Sequence, residues 1–380
     1  MSLSRRDFLK LAGVGYGAIN LFPARNIFNP SNHFFTVKPE FPAGNNLGRL
    51  TASIDYRSAP RVDFPAIKKG YEDEVVQILH ETVAGTKDFN FPRNQRWFET
   101  PDGFLFAGYV QPVKNIKNDV LTQIPAGKQG FWAEVTIPYV DMDLDNPPAK
   151  APWTKDLLTT GRSPRLYYSQ VVWIDQIKTG NNGQPLYRFN ENAGRPEGVT
   201  GGSYGDIFWA DGTAFHIITP EEITPINKDV DPKTKKIKVN LTYQTLSCFE
   251  DDKEVYFCHC STGAKFDSAG NVVDNWSTAL GDYKTGWKTL SIHMSGGASG
   301  AGYDTPAVSW CNFFDSQHGI AIHSAFWHNL FGEMVSHGCV NVAPEDAKWI
   351  FRWTSPQITL ENPDLREVTG TEVVVEERII

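Results

Sequence analysis

Between residues 237 and 244 the chain alternates strictly. Ile237, Val239, Leu241 and Tyr243 are apolar, and Lys238, Asn240, Thr242 and Gln244 between them are polar. A period of two predicts a strand with one face buried and one in water. Residues 250–254 read as a charged turn, and residues 255–260 as the returning strand. Further upstream, residues 49–52, 74–79, 131–137 and 165–168 are short apolar runs bounded by turn residues. Residues 96–99 lead into Pro101-Asp102-Gly103 and on to residues 104–110, a hairpin pattern. A turn at residues 179–183 precedes another strand at 186–189. One helix is predicted from Pro344, with Glu345 and Asp346 at the positive end of its dipole. It should run to about Trp353, because Pro356 cannot continue it. Residues 372–376 are expected to form a last strand that closes the sheet.

Composition agrees with a mainly β chain. Aromatics make up 13% of 380 residues and Gly and Pro are frequent, which favours short strands joined by turns. The length suits two or three domains. A net charge of −8 argues against nucleic acid as a partner and gives no polybasic anchor for a membrane. Residues 25–46 are rich in Asn, Pro and Phe without a period and read as a linker. No long internal repeat is present.

The first residues resemble a twin-arginine export signal: Ser4-Arg5-Arg6-Asp7-Phe8-Leu9-Lys10, a mildly apolar stretch to Phe22, and Pro23-Ala24 as its end. That stretch is too short to span a bilayer, so no integral membrane segment is expected after removal of residues 1–24. The expected location is the cell wall, periplasm or extracellular face. Residues 47–115 resemble a bacterial SH3-like barrel of the kind attached to cell-wall enzymes, on the hairpin at residues 96–110. Residues 116–232 are read as a second β-rich module, possibly also SH3-like. Residues 233–380 remain as a catalytic unit.

The chemistry concentrates in Ile322-His323-Ser324-Ala325 and Ser336-His337-Gly338-Cys339-Val340-Asn341. A thiol nucleophile needs an exposed turn, and Gly338 permits the close approach and unusual dihedrals of such a turn. It needs an imidazole to remove its proton or to hold a thiolate, because a free cysteine is mostly protonated at neutral pH. It also needs donors for the oxyanion, which the backbone N–H groups of His337, Gly338 and Cys339 could supply. The five cysteines, Cys248, Cys258, Cys260, Cys311 and Cys339, are an odd number, as a chain with one free reactive thiol would have. The other four could pair in three ways or stay as buried thiols. Buried thiols are favoured, since the chain is long enough to build a core without staples.

These residues closely resemble the catalytic motif of L,D-transpeptidases, the YkuD-type domain: a His, a spacer, then Ser/Thr-His-Gly-Cys and a tail ending in Asn or Arg. Gln244-Thr245-Leu246 and Ser261-Thr262-Gly263-Ala264 are similar to that domain's opening strands, so the resemblance covers roughly residues 235–376. One departure is the segment 281–287, which lacks the family's Thr-Pro-x-Gly turn. The resemblance implies a β-sandwich in which Cys339 attacks the third residue of a donor stem tetrapeptide and D-alanine leaves. A side-chain amine of a second, acceptor stem then takes the acyl group and gives a 3→3 cross-link in peptidoglycan. By the same resemblance His323 is the general base and the Ser324 carbonyl orients its ring. His337 and Gly338 contribute mainly backbone, and Tyr303 in a glycine-rich lid lends its hydroxyl to the oxyanion. Met294, Trp327, Ser336 and Asn341 are the implied substrate contacts. No cofactor and no metal are implied.

Competing readings are a hydrolase of the same fold (carboxypeptidase or endopeptidase), and a non-catalytic wall-binding protein. A papain-like hydrolase places its Cys far upstream of its His, the reverse of this order. Cys258-His259-Cys260 with His293 and His318 could suggest zinc. Alternation along a strand, however, puts His259 on the opposite face from the two cysteines. His328 and His318 are read as bystanders.

Overall fold

The computed structural model describes residues 40–84, 93–191, 204–265, 271–272, 276–296, 303–367 and 369–378. The expected signal segment at 1–24 and most of the glycine-rich stretch lie outside these residues.

The predicted alternation is realised as far as Asn240; residues 241–244 form a turn, in which Tyr243 is exposed and Gln244 buried. Strand Lys235–Asn240 buries Ile237 and Val239 and pairs antiparallel with Thr245–Glu250, which pairs in turn with Lys253–His259. Its other edge pairs in parallel with the last strand, Glu372–Glu376. Gly281–Lys284 then joins that strand antiparallel, occupying the segment that departs from the family's turn. A second five-stranded sheet runs in the order Val340–Val342, Ile320–Ser324, Tyr303–Asp315, Trp287–Gly296, Asp364–Arg366. One apolar core joins the two sheets: Ile237, Val239 and Leu246 from the first, Trp310, Ile322, Val340 and Val342 from the second. The helix Pro344–Trp353 adds Ala347, Ile350 and Phe351 to this core. Lys288 and Lys235 donate to the carbonyls of Phe351, Trp353 and Thr354 at its C-terminal end, where backbone acceptors lack partners. Cys248, Cys258 and Cys260 are buried free thiols in the core, while His259 faces solvent. Among the described residues, no three His, Cys, Asp or Glu side chains gather as metal ligands, and no helix is long and apolar enough to cross a membrane.

Among the described residues no sheet closes into the expected SH3-like barrel. In residues 44–115 the hairpin of Arg96–Thr100 and Gly103–Phe106 forms around its Pro101-Asp102 turn. Its strands, however, belong to a sheet ordered Ala66–Gly70, Ile54–Arg57, Gly103–Phe106, Arg96–Thr100, His80–Val83. Gly44–Leu50 sits in a separate three-stranded sheet between Val75–Gln77 and Val110–Asn115. No ladder among the described residues joins the edges of one to the other, so nothing closes. At residues 107–109 the chain makes a 3-10 turn and passes from one sheet to the other, Gly103–Phe106 lying in the first and Val110–Asn115 in the second. The carbonyls of Ala107 and Gly108 there accept from Asn329, over two hundred residues away. The described residues of 116–232 form no closed barrel either. Their six-stranded sheet leaves both edges open, at Asp143–Leu144 and Phe215–Ile217.

Candidate active site

One parallel pairing puts His323 on a strand beside the segment that carries Cys339. Ile320–Ser324 runs beside Val340–Val342, with Ile322 opposite Val340 and His323 opposite Asn341. Ile322 and Val340 point into the core. Strand alternation therefore puts Ala321, His323, Cys339 and Asn341 on the other face. Ala321 and Cys339 indeed share an apolar cluster with Ile292, Val308, Cys311 and Phe313, against which Met294 and Trp327 also pack.

The turn before Cys339 is tightly specified. Ser336 Oγ donates to the Cys339 carbonyl and accepts from Gly338 N–H at 3.1 Å. Thr278 Oγ1 donates to the Gly338 carbonyl at 2.7 Å and itself accepts from Gly263 N–H. Gly338 has a φ of +119°, and a Cβ there would stand 2.7 Å from Ile320 Cδ1. Only glycine meets both conditions without strain. Ser336 thus spends its hydroxyl on the turn, and Gly338 N–H is already engaged. The His337 ring stands 4.1 Å from that of Trp276 and 5.3 Å from that of Tyr303. Tyr303 pairs with Gly296 at the end of the hairpin, and the Cys339 thiol contributes to raising its hydroxyl pKa, after burial.

Tautomer and charge follow from the contacts. His323 Nδ1 lies 2.9 Å from the Ser324 carbonyl, an acceptor only, so Nδ1 carries the proton and Nε2 has its lone pair. Burial lowers the ring's pKa to about 4, the Ser324 bond opposing it in part. Burial raises the Cys339 thiol to about 11, opposed by the Ala321 N–H, 3.4 Å from Sγ. At neutral pH the Cys339 thiol and the His323 imidazole are therefore both neutral.

Residues 234–375 match the family model for the L,D-transpeptidase (YkuD) catalytic domain. This part of the chain is a YkuD-type L,D-transpeptidase catalytic domain. The match supports an enzyme of the L,D-transpeptidase type with a cysteine nucleophile. No curated protein matches the chain. Among solved structures, the catalytic domain of the E. faecium L,D-transpeptidase is 22% identical. That alignment covers 37% of this chain and 96% of that one, with a TM-score of 0.29. A crystal structure of an Enterococcus faecium L,D-transpeptidase mutant is 21% identical over 38% of this chain and 50% of that one, TM-score 0.29. An L,D-transpeptidase from Mycobacterium smegmatis is 14% identical over 53% and 93%, TM-score 0.31. The chain spans about half the length of the Enterococcus faecium crystal structure.

The transpeptidase domain also contains site neighbours that the sequence did not reveal. Trp276 and Thr278 reach the catalytic turn from a segment with no motif. His328, read as a bystander, accepts from Leu330 N–H through Nδ1 and faces the Asn341 amide through Nε2. His318 is exposed and bonds Asp315. Trp327 lies 5.8 Å from the His323 ring, centroid to centroid.

Proposed function

We propose that this chain is an exported peptidoglycan L,D-transpeptidase that forms 3→3 cross-links, with Cys339 as nucleophile and His323 as general base. The observation that carries this reading is the His323 tautomer. A ring locked by the Ser324 carbonyl offers a bare Nε2 on the strand face that also bears Cys339. Sγ attacks the carbonyl carbon of the donor's third residue while its proton passes to Nε2. The oxyanion is met by the Cys339 N–H and the Tyr303 hydroxyl. The C–N bond to D-alanine breaks, and the departing amine takes the proton from Nε2. An acceptor amine then attacks the thioester, gives its proton to Nε2, and Sγ recovers it as the amide forms. Met294, Trp327 and Asn341 line the donor stem in this proposal, and His337 and Gly338 hold the turn. Export by the twin-arginine route is proposed from Arg5 and Arg6.

The test is incubation of purified protein with disaccharide tetrapeptides. D-alanine release together with a cross-linked dimer mass is expected, both absent in Cys339→Ala. D-alanine release without dimer would favour the hydrolase reading, and equal behaviour of the two proteins would end the cysteine mechanism.

A further inference from the structure

His328 and Asn341 make a pair whose hydrogen-bond logic has one solution. His328 is buried, and its Nδ1 accepts the Leu330 N–H at 3.1 Å, so Nδ1 carries no proton. Burial first, and then the nearby His323, lower the ring's pKa to about 3, so it is neutral. A neutral ring with a bare Nδ1 has its hydrogen on Nε2. That Nε2 stands 3.1 Å from the Asn341 carboxamide, and an N–H there requires the amide oxygen opposite it, because an NH2 would set donor against donor. The other end of the carboxamide is buried and has no hydrogen-bond partner among the described residues. It is therefore an NH2 group without a partner. Its residue stands opposite His323 in the ladder and two positions beyond Cys339. A buried donor left unpaired is costly unless a ligand satisfies it.

We propose that His328 is a positioning residue that holds the Asn341 carboxamide with its NH2 turned to the reacting face, where it donates to a carbonyl or carboxylate oxygen of the bound donor peptide. The inference rests on the transpeptidase reading for the identity of the ligand, but not for the orientation of the amide. A His328→Phe change keeps ring volume and removes the constraint. Asn341→Asp keeps an acceptor for His328 Nε2–H but turns a second acceptor toward the ligand's oxygen.

Two measurements test this. The first is the ring nitrogen spectrum of 15N-labelled wild-type protein, with His328 assigned by difference from His328→Phe or, should that fail to fold, from His328→Gln. A neutral ring protonated on Nε2 at pH 7 is expected. A proton on Nδ1, or a charged ring, overturns the proposal whatever the reaction proves to be. The second is kcat/KM for D-alanine release from the tetrapeptide. Asn341→Ala should lose about tenfold to a hundredfold, Asn341→Asp more than that, and His328→Phe about tenfold. Adding His328→Phe to Asn341→Ala should cost no more than about twofold further, because the positioned group is already gone. Additive losses, or an Asp variant better than Ala, would overturn it. A wild-type protein that releases no D-alanine would overturn the transpeptidase reading and the peptide half of this one. The ring spectrum would then still decide the orientation.

Discussion

Arg49 donates to the backbone carbonyl of Phe326 at 2.7 Å, across 277 residues of sequence. The guanidinium also pairs with Asp73 at 2.7 Å, reaches Gln111, and lies 4.1 Å over the Tyr167 ring, which stacks on Phe326. Two further contacts fix the same stretch between His323 and Cys339. Asn94 donates to the carbonyls of Asn329 and Phe331, and Glu333 accepts from the N–H groups of Arg93 and Asn94. The N-terminal region is thus built into the loop that carries Trp327 and His328.

Arg49→Met should therefore act on the catalytic loop. It takes the guanidinium donors from Gln111 Oε1 and the Phe326 carbonyl, while Asp73 keeps Arg165 and the Tyr167 hydroxyl, and a buried acceptor left without its donor costs about 1–3 kcal/mol. Urea unfolding should show the loss, with slower D-alanine release even where the variant remains folded. Wild-type stability and rate would mean that the loop holds itself.

Gly338→Ala meets both a left-handed dihedral and the Ile320 side chain. A fall in turnover of about a hundredfold or more is expected, since misplacing the thiol by about 1 Å is costly. Combining it with Ile320→Ala removes the clash but not the backbone strain, so recovery should be partial at best. Full recovery in the double variant would show that the dihedral does not matter.

The neutral thiol and imidazole give a distinct pH profile. Alkylation of Cys339 by iodoacetamide should climb through pH 7–9, toward tenfold per unit, because only the thiolate reacts and its pKa lies near 11. A pre-formed thiolate–imidazolium pair would instead give a plateau through neutral pH.

Three buried histidines should give stability two opposed pH dependences. His323 and His328 titrate near 4 and 3 in the fold against 6.5 ordinarily, so the unfolded chain binds more protons below that value. Stability is then lost as the pH falls from about 6.5. His293 behaves oppositely. Although burial disfavours its charge, hydrogen bonds and attraction from Asp304 and Glu191 raise it to about 9. That contribution is complete below about 6.5 and is lost as the pH rises to 9. Each unit of difference is worth on the order of 1.4 kcal/mol per ring. Urea midpoints from pH 4 to 9.5 in wild type and His293→Gln check this: the difference between the two should shrink as the pH rises from about 6.5 to 9 and stay level below 6.5.

Residues whose role is local could be read from the sequence. The alternation specified its strand only as far as Asn240, because period two decides which face is buried while the chain stays extended; residues 241–244 turn instead, leaving Tyr243 exposed and Gln244 buried. The Ser-His-Gly-Cys run marked the candidate turn, because a thiol nucleophile needs those groups in one turn. Barrel closure could not be read, because it depends on which edges pair, and the Ala107-Gly108 turn is fixed by Asn329 far along the chain. The part played by His328 was hidden for the same reason. A histidine on an irregular loop carries no period, and its partners, Leu330 and Asn341, emerge only when the loop folds back on the strand.

Intact-protein mass spectrometry after mixing with a tetrapeptide donor, in the absence of any acceptor, tests the acyl-transfer account most directly. The account predicts one adduct with the mass of the disaccharide tripeptide acyl group, D-alanine having left. It should map to Cys339 and disappear when an acceptor amine is added. An adduct on another residue, or donor turnover undiminished in Cys339→Ala, would contradict it.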